Sequence, residues 1–285
     1  MSREEIRKAL IQNLGSWTSG QGLADSLGIS RAAVWKQVQS LRVEGYEIEA
    51  SKMGYRLESL PDLLSENLVK SGLKTKFIGR TVISHQSLTS TNAEAKRIAP
   101  SAENGTVVVA EVQTIGRGRM ERHWHSPRGG IWMSVILKPK IPPSLAFRVN
   151  IAASIAVARA LEGLYGLEVG IKWPNDLMVG ERKVCGTLTE IGAEMDSLEY
   201  AVVGIGINAN IDPDLFPEEW KATSISGLLG REVLRLELVQ SILEELERAC
   251  EGMATSFDQV MGEWSDRSAT LGRKVRIITR DGEFE

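Results

Sequence analysis

Cysteine is scarce: Cys185 and Cys250 are the only two in 285 residues, and no CxxC pair occurs. That excludes a disulfide framework and gives no support to a thiolate zinc site. An excess of one charge is also missing, since 34 Lys and Arg stand against 37 Asp and Glu for a net charge of −3. Near balance argues against a general nucleic-acid coat protein but leaves room for one DNA-binding module. No apolar run approaches the ~18 residues of a membrane span. The N-terminus "MSREEIRKAL" lacks the apolar centre of a signal peptide. These absences imply no membrane and a cytoplasmic location.

Several catalytic signatures are missing too. There is no GxxxxGK[ST] phosphate loop and no GxSxG nucleophile elbow. Gly204-x-Gly206-x-x-Ala209 imitates a dinucleotide fingerprint, but "NANIDPDLFP" carries two prolines where a helix should open. His123 and His125 stand two apart with no third ligand in sight, so no metal site is assigned. No internal repeat or low-complexity segment is visible.

What is present is ordinary globular composition, 42% hydrophobic and 25% charged, in a length that suits two or three domains. Ile6, Leu10 and Leu14 fall at helical spacing and predict a helix over 3–14. "SGQGLADSLG" predicts a short helix ending at Gly28. Ser30 is a good N-cap for a third helix, with Val34, Val38 and Leu41 as its apolar stripe and Gly45 as its stop. Tyr46/Ile48 and Tyr55/Leu57 alternate with polar residues around Gly54, the pattern of a hairpin. Three helices and a hairpin make a winged helix-turn-helix, whose third helix enters the major groove. Residues 1–57 hold eight basic and six acidic side chains, with the basic ones concentrated on that helix and the wing. Ser30, Arg31, Lys36, Gln39, Arg42 and Lys52 are the candidate DNA contacts. A helical protein-docking module is the competing reading.

"ESLPDLLSENLV" changes character, and Pro61 is placed to open a helix. The domains are read as 1–60, 61–270 and 271–285. Beyond the boundary, "TVISHQ", "TVVVAEV", "GIWMSVIL", "VGIKWPNDLMV", "KVCGTLTEIG" and "EYAVVGIGINA" predict strands. "STNAEAKRIA", "LAFRVNIAASIAVARALEGLY" and "LELVQSILEELERACEGMATSF" predict helices. The class is α+β: a mixed, mainly antiparallel sheet with packed helices. At the end, Lys274–Thr279 predicts a strand and Asp281-Gly282 a hairpin turn, so a third small β domain is expected to begin there and be cut short.

The stretch "QTIGRGRMERHWHSPRGG" (113–130) holds few aliphatic side chains. Glycine lets a backbone approach a ligand closely, and arginine offers a planar fork of donors for phosphate or carboxylate. The stretch reads as a mobile cationic cover or as a solvated loop. "KWPND" places Lys172, Asn175 and Asp176 at a turn, "RKVCGTL" places Lys183 at a strand start, and "GIGIN" ends on Asn208. Polar groups at strand ends around a cationic loop describe a site for an anionic, phosphate-bearing ligand.

As an ordered set, "STN", "GRGRMERHWHSP", "KWPNDL", "RKVCGTLTEI" and "VVGIGIN" resemble the signature blocks of biotin–protein ligases. With its N-terminal winged helix the chain resembles the bifunctional kind, a biotin–[acetyl-CoA-carboxylase] ligase that also represses the biotin operon. The resemblance implies a class II synthetase-like catalytic domain followed by a small SH3-like barrel, of which only the start is visible. It implies ATP and biotin as substrates with Mg²⁺, biotinyl-5′-adenylate as intermediate, and a lysine of biotin carboxyl carrier protein as acceptor. Operator DNA and a ligand-dependent homodimer are the other implied partners. Ser90, Thr91 and Gln113 resemble the groups that bind the ureido ring, and Gly186 the position that makes room beside biotin. Gly116, Arg117 and Arg119 match the closing loop, with Arg119 at the carboxylate and then the phosphate. Trp124, Asn175, Asp176 and Asn208 match the nucleotide end, Asp176 also being placed to orient the acceptor amine. Lys183 matches the principal catalytic cation, bridging carboxylate and α-phosphate. A metabolite-sensing regulator without ligase activity and a lipoate-type ligase are the alternatives.

Overall fold

The computed structural model describes residues 2–59, 61–194, 197–278 and 282–284. Backbone contacts divide the chain into two compact units, 1–63 and 64–285.

The first unit runs α1 (Ser2–Gln12), β1 (Trp17–Thr18), α2 (Gly20–Leu27), α3 (Arg31–Val43), β2 (Glu47–Ser51) and β3 (Gly54–Ser59). Each helix start has a local cause. The Ser19 hydroxyl accepts from the Gly22 N–H, and the Ser30 hydroxyl accepts from the Ala33 N–H at 3.1 Å. Gly28 ends α2 in the left-handed conformation, φ 63°, which costs a glycine nothing. Ile6, Leu10, Val34, Val38, Leu41 and Leu57 are buried together as its core residues. β2 and β3 form the predicted hairpin. β1 adds a third strand on β3, too short to show any alternation in sequence.

The second unit begins with α4 (Glu66–Ser71), not at Pro61. The expected helix start is displaced because Leu63 N–H turns back to the Pro61 carbonyl, and Leu64 N–H is taken by the Glu111 carboxylate at 2.8 Å. The order continues β4 (Val82–His85), α5 (Thr91–Ile98), β5 (Thr106–Ala110), β6 (Ile131–Leu137), α6 (Phe147–Tyr165), β7 (Gly170–Lys172), β8 (Asp176–Val179), β9 (Arg182–Glu194) and β10 (Ser197–Ile207). These strands make one seven-stranded sheet, β4-β5-β6-β10-β9-β8-β7, parallel at β4–β5 and antiparallel elsewhere. The mixed, mainly antiparallel α+β expectation therefore holds. The predicted strand over "VGIKWPNDLMV" is two strands, separated by the Trp173–Pro174–Asn175 turn.

Then come α7 (Ile225–Leu229), α8 (Arg235–Thr255), α9 (Phe257–Asp266), β11 (Ile277–Ile278) and β12 (Glu283–Phe284). The long helix expected through residue 257 stops at Thr255, because Ser256 adopts φ −150°, and α9 starts afresh. Val260 and Trp264 of α9 pack with Ile151, Ile155 and Ile171. Of the expected strand at Lys274–Thr279, only Ile277–Ile278 is strand; it pairs antiparallel with β12, and Thr279 and Asp281 lie outside the described residues.

One expectation on apolar length is corrected. The segment Pro143–Tyr165 is long and apolar enough to cross a membrane, with an 18-residue window of mean hydropathy 1.4, but 67% of that window is buried in the protein. Its alanines and valines are core: Ala152, Ala153, Ala156, Val157 and Ala160 are buried as α6 lies on the sheet.

Candidate functional site

Strand register builds the floor of the site. Asp176 pairs with Gly186, Gly186 with Gly206, and Gly206 with Trp132, so these residues form one row across β8, β9, β10 and β6. Residues directly opposite each other point to the same face. Two residues along β6 and β10, Ser134 and Gly204 form a second row on that face. The same face carries α5, whose Ala95 and Ala99 pack on Val108, Ile136 and Val202. Helix α6 covers the other face, where Asn150 accepts from the Thr187 hydroxyl at 2.9 Å.

Glycine at these positions leaves slots that side chains from elsewhere fill. A Cβ on Gly204 would lie 2.2 Å from the Asn92 amide oxygen. On Gly206 it would meet the Trp124 indole nitrogen at 2.8 Å, and on Gly186 the indole ring at 3.0 Å. The space beside Gly186, expected for biotin, is thus occupied by the Trp124 ring. That indole N–H is buried and has no hydrogen-bond partner.

At one end of the face, Ser90 caps α5 and is buried with Thr91 and Asn92. Gln113 is clamped at both ends of its amide. Its oxygen accepts from Thr91 N–H at 2.8 Å and from the Thr91 hydroxyl at 3.1 Å. Its nitrogen donates to Ser126 Oγ at 2.9 Å. Behind them, the Ser134 hydroxyl lies 2.8 Å from Thr91 Oγ1 and 2.6 Å from Asn92 Oδ1. Asn92 donates onward to the Glu190 carboxylate at 3.0 Å, which also holds Lys96 at 2.8 Å. Burial works to raise the Glu190 carboxyl, but hydrogen bonds from Lys96 and Asn92 and the charges of Lys96 and Arg117 outweigh it and hold the group below its usual range.

The loop between Gln113 and Ser126 is folded, not extended. Gln113 N–H donates to the Ser126 carbonyl, Trp124 N–H to Gly116 O, and Gly118 N–H to Arg122 O, giving a closed hairpin-like flap. Gly116 is required here, because a Cβ would meet the Trp124 carbonyl at 2.3 Å. Arg117 and Arg119 are exposed, and a cavity of about 310 Å³ is lined by Ile115, Gly116, Arg117, Arg122 and His123. His125 lies against Trp220, ring centres 6.4 Å apart, and neither histidine joins a metal-binding group among the described residues.

At the other end, the Lys183 ammonium lies 2.5 Å from Asp176 and 4.6 Å from the centre of the Trp124 ring. Lys183 is held through its backbone: its N–H donates to Lys221 O, and its carbonyl accepts from Thr223 N–H. Asn208 is buried and donates to Thr223 O at 3.0 Å, tying strand end to segment 221–223. Asn175 donates to Thr187 O at 2.6 Å, which fixes the turn before Asp176. A cavity of about 160 Å³ opens beside them, lined among others by Lys172, Asp176, Lys183, Trp220 and Lys221. So Ser90, Thr91, Gln113, Gly116, Trp124, Asp176, Lys183 and Gly186 come together. Asn175 and Asn208 support the site through backbone carbonyls, while the arginine side chains of the loop stay in solvent.

On the first unit, Arg31 and Lys36 are exposed along α3 and Lys52 at the turn of the wing. Ser30 is engaged as a cap. Arg42 turns toward its own fold: Nε and an Nη donate to the Ile48 carbonyl at 2.9 and 2.6 Å, with Gln39 beside it.

A model of the biotin/lipoate A/B protein ligase family matches residues 82–208, and a helix-turn-helix model matches residues 2–56. The bifunctional ligase/repressor BirA of Bacillus subtilis is 41% identical across 99% of this chain and 90% of its own length. The protein of the same name in Escherichia coli is 29% identical across 97% of this chain and 85% of its own. Among solved structures, the biotin protein ligase of Aquifex aeolicus in complex with biotin and ATP superposes with TM-score 0.62 at 29% identity, over 72% of this chain and 85% of that one.

The chain belongs to the biotin/lipoate A/B protein ligase family.

Within that family the chain carries a helix-turn-helix match at residues 2–56 ahead of its ligase-family match at 82–208. Sequence reasoning singled out the loop, Lys183 and the turn at Asp176, which the structure brings together around Trp124. It missed Ser126, Ser134 and Glu190, whose parts depend on partners 13 to 98 residues away. It also rejected "GIGIN" as a dinucleotide motif without seeing that Gly206 seats Trp124.

Proposed function

We propose that this chain is an ATP-dependent biotin–protein ligase whose first unit binds operator DNA and represses transcription. Biotin carboxylate attacks the α-phosphorus of ATP, and pyrophosphate leaves. The ε-amine of one lysine of biotin carboxyl carrier protein then attacks the acyl carbon of biotinyl-5′-adenylate, and AMP leaves. The observation that carries the reading is the meeting, on one sheet face, of a neutral donor–acceptor set, buried at Ser90 and Thr91, with the Lys183 ammonium. Ser90, Thr91 and Gln113 suit an uncharged ureido ring, and Lys183 suits the carboxylate and phosphate that react.

Residue roles follow from that arrangement. Lys183 offsets charge that develops at the carboxylate and α-phosphate. Asp176 holds the Lys183 ammonium and orients the incoming amine. Trp124, with its buried unpartnered N–H, walls the nucleotide side, and Asn175 and Asn208 hold the backbone there. Arg117 and Arg119 close on the ligand as the flap seals, covering a water-sensitive mixed anhydride. Lys172 and Lys221 line the cavity beside Lys183, a fitting place for the leaving phosphates. Mg²⁺ accompanying ATP would be held mainly by phosphate oxygens and water and would offset charge on the phosphates.

Ligand-ordered loops favour a homodimer, which presents two winged helices to a two-part operator. Free thiols at Cys185 and Cys250 agree with a cytoplasmic location. The hairpin of β11 and β12 is assigned to an SH3-like module over 271–285, and the boundary read at 60/61 moves to the division of the two compact units at 63/64.

The deciding experiment mixes the full chain with radiolabelled biotin, ATP and a carrier domain. Label on the carrier is the expected result. Tight biotin binding without transfer favours a metabolite-sensing regulator, and transfer of lipoate in place of biotin favours a lipoate-type ligase.

A further inference from the structure

Helix α3 buries Val34, Val38 and Leu41 and sends Arg31, Trp35 and Lys36 into solvent. Trp35 is 56% exposed. A single exposed apolar side chain is ordinary on a protein surface. Its surroundings here are not. From Arg31 to Val43 the helix contains no acidic residue. Arg31 and Gln39 stand one turn before and two turns' reach after the start of the same line, at i−4 and i+4 from Trp35. That line rises about 12 Å, the span of roughly three to four base pairs. Arg42, the remaining cation of the helix, is spent on the Ile48 carbonyl. The line is thus an exposed cation, an exposed indole and a half-buried amide that accepts from Arg42, with Lys36 adjoining.

We propose that Trp35 is a specificity-determining residue of the DNA-binding unit and lays its indole against the 5-methyl group of a thymine in the major groove. This rests on the repressor reading above. Thymine is the one base that offers an apolar group there. Arg31 and Lys36 supply the phosphate or guanine contacts, which hold the helix in register but leave an A·T step unread. Trp35 lies in the first half of the helix, the part whose side chains reach base edges in this docking mode. A flat indole with two side-chain torsions loses little entropy when it is seated.

The test uses the full chain with biotin and ATP. Duplexes are first selected from a random library. Each thymine of the enriched site is then replaced by uracil, which removes only the 5-methyl group. Wild type should lose about fourfold in affinity at one thymine per half-site, the ordinary worth of one buried methyl, and the square of that when both half-sites are changed. Trp35→Ala should bind the thymine site more weakly and be indifferent to uracil. Trp35→Phe, which keeps an aromatic face and guards against a folding artefact, should retain part of the methyl dependence. A Trp35→Ala protein that keeps the wild-type response to uracil overturns the proposal, as does a wild type with no methyl-sensitive position. A library from which wild type enriches no duplex removes the repressor reading, and this inference with it.

Discussion

The Lys183 ammonium sits between two partners of different kinds, 2.5 Å from the Asp176 carboxylate and 4.6 Å from the centre of the Trp124 indole. Both partners attract a cation, one by charge and one by its ring quadrupole. The ammonium is therefore positioned before any substrate arrives. Its backbone is pinned separately to Lys221 and Thr223, so the strand start does not depend on the ion pair.

Lys183→Met should reduce adenylate formation by about a hundredfold to a thousandfold, as removal of one preorganised charge donor does. Pyrophosphate release with biotin and ATP is the readout. Folding should survive, because the side chain is partly exposed and its backbone bonds remain. Activity within a few-fold of wild type would remove Lys183 from the reaction.

Gly206→Val places branched carbon where the Trp124 indole lies, with the Cβ already 2.8 Å from Nε1. The flap should then fail to seat. Overpacking of this kind costs about 1–3 kcal/mol. The KM for biotin should rise and the flap should become sensitive to protease, while the melting of the first unit stays put. An unchanged KM would mean that Trp124 does not rest on this floor during turnover.

Glu111 and Arg235 form an ion pair at 3.0 Å with side chains only 3% and 2% exposed. Arg235 also donates to Gly130 O, and Glu111 also accepts from Leu64 N–H. Removing one member takes its main charge partner from the other, buried one, at about 3–5 kcal/mol for such a pair; Arg128, 3.7 Å from Glu111, remains as a second cation. Glu111→Gln and Arg235→Met should each lower the urea midpoint of the second unit sharply, and the combined Glu111→Leu, Arg235→Met variant should recover much of it. Additive losses in the double variant would contradict this account.

Glu247 links α8 to the segment before β4. Burial pushes its carboxyl up, but hydrogen bonds from the N–H groups of Lys76, Ile78 and Phe77 and the Lys76 charge more than offset this, so its pKa lies below the ordinary 4.5. A lowered folded value means that the carboxylate stabilises the fold above 4.5 and that this stability is lost as pH falls through the lower folded value. Wild type should lose stability across that acid window, and Glu247→Gln should lose less across it while starting lower at neutral pH. Parallel curves for the two proteins would exclude the linkage.

Legibility followed the range of the interactions. Ser30 was readable as a cap because its hydroxyl accepts from an N–H three residues on. Gly28 was readable as a stop for the same reason. The turn at "KWPND" and the lysine at a strand start were visible as residue types. The seat of Trp124 was not, because it depends on Gly186 and Gly206 meeting across β9 and β10, which only the register decides. The Glu111–Arg235 pair joins positions 124 residues apart, beyond any local pattern. Arg42 read as a DNA contact because nothing local reveals that the hairpin brings the Ile48 carbonyl within its reach. Helix α8 was read two residues too far and α9 went unread, because one extended serine leaves no mark in an apolar periodicity.

The Gln113–Ser126 rung has a mechanical corollary. Both feet of the intervening loop stand on one hydrogen-bonded step, and the Thr114 and Ile115 N–H groups are held by the Leu88 and Thr89 carbonyls, so residues 116–125 swing out together or stay down together. Arg117, Arg119 and Arg122 then reach solvent-borne reagents as a group, and the time a reactive acyl group remains sheltered is the dwell time of that one flap.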